Sequence, residues 1–261
     1  MYENILTEVS KGVGIITLNR PERHNAFDDK MVGELIAAFA AMEADAKVRV
    51  LVISSTGKSF CAGADLNWMK RAADYTPEES LEDARALAEM LRCLAQMGKP
   101  TVARVQGPAY GGGVGLVAAC DVAIATYEAQ FTLSEVKLGI IPAVISPHVI
   151  AAIGERYARR YMLTAERFAA AEAYRIGLVH EIVPDEASLD EAVGEIVDTL
   201  LKNAPGALAA CKALIRAVSG KPIAAEVIED TARRIVAART SDEGKEGMSA
   251  FLQKRKPNWV M

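Results

Sequence analysis

The sequence predicts an α/β core followed by a helical C-terminal region. Short β-like runs alternate with helix-like segments up to about residue 185, and beyond that point the pattern is mostly helical. Two of the β-like runs end in glycine-rich turns that open helix-compatible segments, as strand-to-helix connections do. With 261 residues, 51% of them hydrophobic, the chain is long enough to bury a core of this kind.

The strands are predicted from short apolar runs bounded by turn residues. The run at 49–54 is almost continuously apolar, which is typical of a strand covered on both faces. The run at 178–183 is ended by Pro184. The predicted strands are 13–19, 49–54, 101–105, 122–125 and 178–183.

The helices are predicted from apolar residues that recur at helical spacing. Thr76 is the expected N-cap of the longest one, and Glu78 and Glu79 lie in its first turn, where negative charge is favourable. The predicted helices are 28–44, 66–73, 77–97, 146–163, 166–175, 189–203, 206–218, 223–239 and 242–253.

Composition excludes several classes of function. A net charge of −4 gives no general attraction to nucleic acid, and no apolar run is long enough to span a membrane. The first residues show no signal-peptide pattern, and the four cysteines are scattered without metal-ligand or disulfide spacing. We therefore expect a cytoplasmic protein with reduced cysteines, no metal, and no nucleic-acid or membrane partner.

Two glycine loops carry the chemical signal. The first, residues 59–66 (SFCAGADL), follows the strand at 49–54, and the second, residues 107–116 (GPAYGGGVGL), follows the strand at 101–105. Either loop taken alone could be a tight strand-to-helix turn and nothing more. Taken together, they indicate a second possibility, in which each loop donates one backbone N–H to the same oxygen and forms an oxyanion hole.

These loops and several other segments resemble the crotonase (enoyl-CoA hydratase/isomerase) superfamily, and the similarity extends over essentially the whole chain. The matching segments are 18–21, 25–27, 59–66, 107–113, 120–121, 131–142, 173–183 and 251–257. The resemblance implies a crotonase-like spiral of ββα units over residues 1–200 and a helical C-terminal trimerisation region over 201–261. It also implies a homotrimer or a dimer of trimers that acts on acyl-CoA thioesters without a bound cofactor.

The resemblance implies roles for three catalytic positions. The N–H groups of Ala64 and Gly112 would hold the thioester enolate, and Glu135 would be the acid and base. The alternative for Glu135 is a surface or capping carboxylate. The family's hydratases carry a second glutamate two residues after the triple glycine, where this chain has Gly115, so ordinary two-glutamate hydration is put in doubt.

The segment 140–148 (IIPAVISPH) replaces a glycine-rich stretch, and with Gly115 it resembles bacterial 3-methylglutaconyl-CoA and isohexenylglutaconyl-CoA hydratases. Their substrates are branched at the β-carbon and carry a second carboxylate. We expect Gly115 to leave space for that bulk. A partner for the carboxylate is sought among Tyr110 and four other side chains, which are Lys70, Lys137, Ser146 and His148.

Coenzyme A contacts are carried over from the family by position. Arg23 would meet the nucleotide phosphates, and the segment from Ala62 through Asp65 to Leu66 would line the adenine and substrate site. Phe251 and Lys254 would reach the CoA of a neighbouring subunit, although Lys254 is equally explained as part of a solvated basic end.

Three functions follow, in order of preference. The first is hydration of a branched 2-enoyl-CoA, and the second is a Δ3/Δ2 enoyl-CoA isomerisation that uses Glu135 alone. The third, RNA binding, is disfavoured by the acidic balance, and a serine-hydrolase site is disfavoured because Ser134 and His148 show no pairing pattern.

Overall fold

The computed structural model describes residues 2–260 and contains two β-sheets and ten α-helices within that range. The strands are β1 (Ile5–Ser10), β2 (Val13–Leu18), β3 (Val50–Ser55), β4 (Thr101–Val105), β5 (Ala109–Tyr110), β6 (Val122–Thr126), β7 (Gln130–Thr132), β8 (Phe168–Ala169) and β9 (Glu181–Val183). The helices are α1 (Asp29–Ala44), α2 (Leu66–Ala72), α3 (Pro77–Gln96), α4 (Gly112–Ala119), α5 (Ser146–Thr164), α6 (Ala170–Arg175), α7 (Glu186–Lys202), α8 (Pro205–Val218), α9 (Ala225–Thr240) and α10 (Asp242–Leu252).

The larger sheet has six strands in the order β1-β2-β3-β4-β6-β9, and only the β1–β2 pair is antiparallel. All six residues of β3 are buried, which confirms the prediction that this strand is covered on both faces. Helix α7 packs against β3, β4, β6 and β9, and α1 packs against α3. The carboxyl ends of β3 and β4 lead into the two glycine loops.

The smaller sheet has the order β5-β7-β8 and lies beside the glycine loops. Ala109 pairs with Phe131, which pairs in turn with Phe168. None of these strands was predicted, because runs of two or three residues are too short to show a periodicity. They exist because tertiary packing brings distant segments together.

The α/β fold class and the helical C-terminal region are confirmed, whereas two element predictions are corrected and strand β1 is added. Strand β1 was missed, since five of its six residues are exposed and its sequence shows no alternation of apolar and polar residues. The segment predicted as one helix over 166–175 begins as β8, where Phe168 pairs across to β7. The predicted helix over 146–163 is interrupted at Gly154, whose φ of 72° and ψ of 160° are not helical.

Helices α8, α9 and α10 form the C-terminal region and pack on one another. They bury few side chains: α9 has no fully buried residue and α10 has one, Ala250. The proposed division at residue 200 stays a prediction. Over residues 2–260, no helix combines the length and the low polarity that a membrane crossing requires.

Candidate active site

The two glycine loops lie against each other and are joined by backbone hydrogen bonds. The carbonyl of Pro108 accepts from the N–H groups of Phe60 (2.9 Å) and Cys61 (3.2 Å), and the carbonyl of Cys61 accepts from Tyr110 N–H (2.8 Å). Cys61 and Ala109 thereby form an isolated parallel bridge. This short ladder fixes one loop relative to the other.

Glycine is required at two positions of the second loop. A Cβ at Gly113 would lie 2.4 Å from the carbonyl oxygen of Cys61, so a side chain there would push the loops apart. Gly111 has a φ of +49°, a conformation that other residues adopt only at a cost. The triple glycine therefore allows both the close approach of the loops and the turn into α4.

The N–H group of Ala64 is free and faces away from Phe27. Phe27 N–H donates to Gly63 O (2.7 Å), and Asp65 N–H donates to Phe27 O (2.7 Å), so Phe27 pairs with one edge of this extended segment. Gly63 O and Ala64 N–H belong to the same trans peptide group, whose C=O and N–H point in opposite directions, so the N–H of Ala64 points to the other side. Within residues 2–260 it has no hydrogen-bond acceptor.

Gly112 supplies a second free N–H as the first residue of α4. Its nitrogen lies 3.8 Å from where a Cβ on Gly63 would stand, so the two loops present their amides close together. The Phe27 ring packs 3.0 Å from the position of a Cβ on Gly112 and supports the turn from behind. In the described part of the chain, no acceptor pairs with Gly112 N–H either. Two unpaired N–H donors, of which Gly112 stands at a helix start, suit an oxygen that becomes anionic.

Glu135 lies beside this pair of donors, at the start of a short 3-10 helix (Glu135–Leu138) that follows β7. Its Oε1 is 3.0 Å from where a Cβ on Gly111 would stand, and its Oε2 is buried without a partner in residues 2–260. Burial raises the pKa of Glu135 above its ordinary value. A carboxylate whose pKa is raised by burial holds a proton more readily than an exposed glutamate does, which suits it to take and return a proton.

The expectation that Gly115 leaves space for substrate bulk is wrong. A Cβ at Gly115 would lie 2.5 Å from Ile145 Cγ2 and 3.0 Å from Ile145 Cβ. The room beside this glycine is therefore taken by a side chain of the protein. Sequence analysis singled out the segment 140–148 as unusual but did not identify Ile145 as the residue that packs there.

Comparison with known proteins shows the family of this chain. Residues 8–261 match the family described as enoyl-CoA hydratase/isomerase. The chain belongs to the enoyl-CoA hydratase/isomerase family. It is 32% identical, over 264 residues that span all of this chain and 99% of the relative, to the 1,2-epoxyphenylacetyl-CoA isomerase of Escherichia coli.

Two crystal structures extend the comparison to the fold. An enoyl-CoA hydratase from Shewanella pealeana has a TM-score of 0.96 and 42% identity, with coverage of 98% of this chain and 96% of that one. Pseudomonas aeruginosa AtuE has a TM-score of 0.95 and 43% identity, with coverage of 99% and 100%. The chain is therefore an enzyme of the hydratase/isomerase family with a crotonase fold, and an acyl-CoA thioester fits it as substrate.

The segment 20–28 is held by Arg20, a residue whose role sequence analysis missed. Its guanidinium forms ion pairs with Asp28 (3.0 Å) and Asp65 (3.2 Å) and donates to Ala26 O (2.7 Å). Asp65 is buried and caps α2 by accepting from Asn67 N–H and Trp68 N–H. Burial alone would raise the pKa of Asp65, but these bonds and Arg20 outweigh it and hold the pKa below its ordinary value.

The predicted CoA contacts fall into two groups. Arg23 is exposed. Ala62 lies close to it, since Ala62 N–H donates to the carbonyl of the following residue, His24 (3.0 Å). Leu66 is also exposed. Phe251 and Lys254 belong to the α10 end of the chain, which packs against α8 and α9. The structure thus groups Arg23, Ala62 and Leu66 near the first loop, while a CoA contact of the tail stays a prediction.

Four of the candidate partners for a substrate carboxylate have little support. Lys70 and Lys137 are exposed, and the Ser146 hydroxyl donates to Ala143 O (2.7 Å). His148 is half-buried, and burial lowers its pKa, so the neutral ring predominates at pH 7. Over residues 2–260, no cluster of three or more His, Cys, Asp and Glu side chains could hold a metal ion.

Tyr110 is the remaining candidate, and in the structure a cationic side chain lies next to it. The Arg167 guanidinium stands over the Tyr110 ring, 5.3 Å from its centroid. Arg167 is exposed and forms no ion pair with a carboxylate in the described chain. No sequence signal connects these residues, because 57 positions separate them and only the β5-β7-β8 sheet brings them together.

Proposed function

We propose that this enzyme is a lyase that adds water to a branched 2-enoyl-CoA of the glutaconyl type, such as 3-methylglutaconyl-CoA. The observation that carries the proposal is the half-buried carboxylate of Glu135, whose Oε2 is buried without a partner in residues 2–260, beside the free N–H groups of Ala64 and Gly112. This arrangement provides one acid/base group and one site for a thioester oxyanion.

The reaction follows from these three groups. The N–H groups of Ala64 and Gly112 polarise the thioester carbonyl and make the β-carbon electrophilic. Glu135 removes a proton from water as the oxygen adds to the β-carbon, and the electron pair of the double bond moves onto the thioester oxygen as an enolate. Glu135 then returns the proton to the α-carbon, so the product is the 3-hydroxyacyl thioester. Each oxyanion donor contributes roughly 3–4 kcal/mol to the transition state.

A branched substrate with a second carboxylate is supported by two features. A substituted β-carbon bears developing positive charge better than an unbranched one, which reduces the need for a second glutamate. The Arg167 guanidinium over Tyr110, close in sequence to Gly111 and Gly112, offers a cation to a distal carboxylate. A charge-assisted hydrogen bond of this kind contributes about 1.5–3 kcal/mol.

A second candidate is a Δ3/Δ2 enoyl-CoA isomerase. The same single carboxylate favours it, since Glu135 would take a proton from the α-carbon and return it to the γ-carbon through the enolate. The name of the Escherichia coli relative, 1,2-epoxyphenylacetyl-CoA isomerase, shows that the family includes isomerases.

A panel of acyl-CoA thioesters tests both candidates. Purified enzyme is incubated with 3-methylglutaconyl-CoA, an unbranched 2-enoyl-CoA and an unbranched 3-enoyl-CoA, and products are identified by mass and chromatography. We expect hydration of 3-methylglutaconyl-CoA to have the highest kcat/KM and Glu135→Gln to lower it at least a hundredfold. Exposed Glu128 provides the matched control, and Glu128→Gln should leave kcat/KM unchanged.

The same panel tests the carboxylate partner. Arg167→Gln should raise the KM for 3-methylglutaconyl-CoA about tenfold and leave the unbranched thioesters unaffected. Arg159→Gln, on the exposed part of α5, is the control. Turnover of only the 3-enoyl-CoA would establish the isomerase instead, and full activity of Glu135→Gln would refute the mechanism for both.

A further inference from the structure

Gly115 lies in the first turn of α4 and has no free space beside its α-carbon. A Cβ there would be 2.5 Å from Ile145 Cγ2, 3.0 Å from Ile145 Cβ and 3.6 Å from Leu91 Cδ1. Real Cβ atoms essentially never approach another heavy atom to 2.5 Å. The Cγ2 methyl is attached directly to Cβ, where a β-branched side chain has little rotational freedom, so Ile145 cannot simply turn away.

Ile145 is held in place by its position in the fold. It is the N-cap residue of α5, is 3% exposed, and its carbonyl accepts from the N–H groups of His148 and Val149 (both 3.1 Å). The contact with Gly115 joins α5 to α4, two helices that pack closely. A larger residue at 115 would therefore require the start of α5 to move.

The Gly115–Ile145 contact is one helical turn from the proposed acid/base. Gly115 N–H donates to Gly111 O (3.2 Å), and Gly111 is the glycine against which Glu135 Oε1 lies. Residues four apart lie on the same side of a helix. The apolar side chain of Ile145 and the Glu135 carboxylate thus flank the same turn of backbone, with nine residues of chain between them.

We propose that Ile145 is a specificity-determining residue of this site, because it fills the volume that a side chain at position 115 would need. The proposal rests on the function proposed above. Two unusual features of the sequence, the glycine at 115 and the segment at 140–148 that replaces a glycine-rich stretch, then have one explanation. The side-chain volume absent from α4 at Gly115 is supplied from the start of α5 by Ile145. While Ile145 is present, the site holds a single carboxylate and has an apolar wall beside it.

A double-mutant cycle tests the packing without any substrate. Gly115→Ala, Ile145→Ala and the double variant are compared with the wild type by thermal unfolding. We expect each single variant to lower Tm. The Tm of the double variant should lie several degrees above the value obtained by adding the two single-variant losses. Gly194→Ala is the control, since Gly194 is an exposed helical glycine with no heavy atom within 4 Å of its Cβ position. Additive effects, or a Gly115→Ala variant as stable as wild type, would overturn the inference.

A second set of variants tests specificity. Gly115→Glu, Ile145→Gly and Gly115→Glu/Ile145→Gly are assayed for hydration of an unbranched 2-enoyl-CoA. We expect Gly115→Glu alone to lose folding or activity. The double variant should hydrate this substrate at least tenfold faster than Ile145→Gly, because removal of Ile145 admits a second carboxylate. No gain in the double variant would overturn the specificity role.

The two experiments separate failure of the inference from failure of the proposed function. If the wild type hydrates no acyl-CoA, the proposed function is wrong, although a coupled stability cycle would still establish the packing of Ile145 on Gly115. If the wild type is active and the cycle is additive, the proposed function stands and the inference fails.

Discussion

Glu135 combines two properties that oppose each other. Its buried Oε2 lacks a partner among the described residues, and burial raises its pKa because the charged form has lost its water. The same desolvation that makes this carboxylate a suitable acid/base reduces the stability of the folded protein once the group ionises. The site thus retains a group that is favourable for proton transfer and unfavourable for folding.

The stability of a Glu135→Gln variant should therefore depend on pH. Between the unfolded-state pKa of glutamate, about 4.3, and the higher pKa of folded Glu135, the native state binds more protons than the unfolded state. Wild-type stability consequently falls as pH rises through that window. We expect Glu135→Gln to unfold at a higher temperature than wild type at pH 8, with the difference lost near pH 4.

Thermal unfolding of both proteins from pH 4 to pH 8 measures this difference. Glu128→Gln, which alters an exposed glutamate, should show no comparable pH-dependent gain. A Glu135→Gln variant that is less stable than wild type at pH 8 would contradict the burial cost assigned to the carboxylate.

At the scale of elements, helix α8 is attached to the main sheet through Lys212. Its ammonium donates to Asp121 Oδ2 (2.5 Å) and to Lys99 O (2.8 Å), and the same Asp121 oxygen accepts from Thr101 N–H (2.8 Å). The Lys212 side chain is only 9% exposed, and Asp121 is 33% exposed. One side chain therefore connects the C-terminal helices to the ends of β4 and β6.

Lys212→Ala should destabilise the protein measurably. Breaking a fully buried ion pair costs about 3–5 kcal/mol. Because Asp121 is one-third exposed and keeps its bonds to Thr101, we expect about 2–3 kcal/mol here. Urea unfolding measures the change, and Lys245→Ala, at an exposed position of α10, is the control. Equal stability of the two variants would show that α8 is held by apolar packing alone.

At the scale of the whole molecule, the C-terminal helices expose apolar side chains that the single chain does not cover. Ile228, Ile235 and Val236 of α9 are each about half-exposed, and Phe251 and Leu252 of α10 are about four-fifths exposed. Several large apolar side chains exposed on neighbouring helices are typical of an interface. We therefore expect contact with further copies of the chain, as the family resemblance implies.

Light scattering after size-exclusion chromatography tests this expectation. The wild type should have three or six times the mass of one chain, and Ile235→Glu/Phe251→Glu should reduce the mass toward that of a single chain. Leu6→Glu, on the exposed side of β1, is the control and should leave the mass unchanged. If Phe251 and Lys254 serve a neighbouring CoA site, the dissociated variant will also show a higher KM. A monomeric wild type would refute the assembly.

Much of the local structure could be predicted because its causes are local. Thr76 caps α3 in a capping box with Glu79, and Asp65 caps α2, as the residue types and their spacing indicate. The buried strand β3 followed from its continuous apolar run. The glycine loops were identified from glycine-rich segments that follow predicted strands and open helix-compatible segments, and they led to the proposed oxyanion hole.

What the tertiary structure decided depends on contacts between distant segments. The small sheet, the position of Arg167 over Tyr110 and the clamp of Arg20 on Asp65 have no periodicity or spacing in the sequence. Gly115 is the clearest case. The sequence by itself determined that no second glutamate stands there, but only packing of α5 on α4 determined that Ile145 occupies the space. Whether a glycine leaves a cavity or a tight contact depends on the side chains around it. The fold determines which side chains those are.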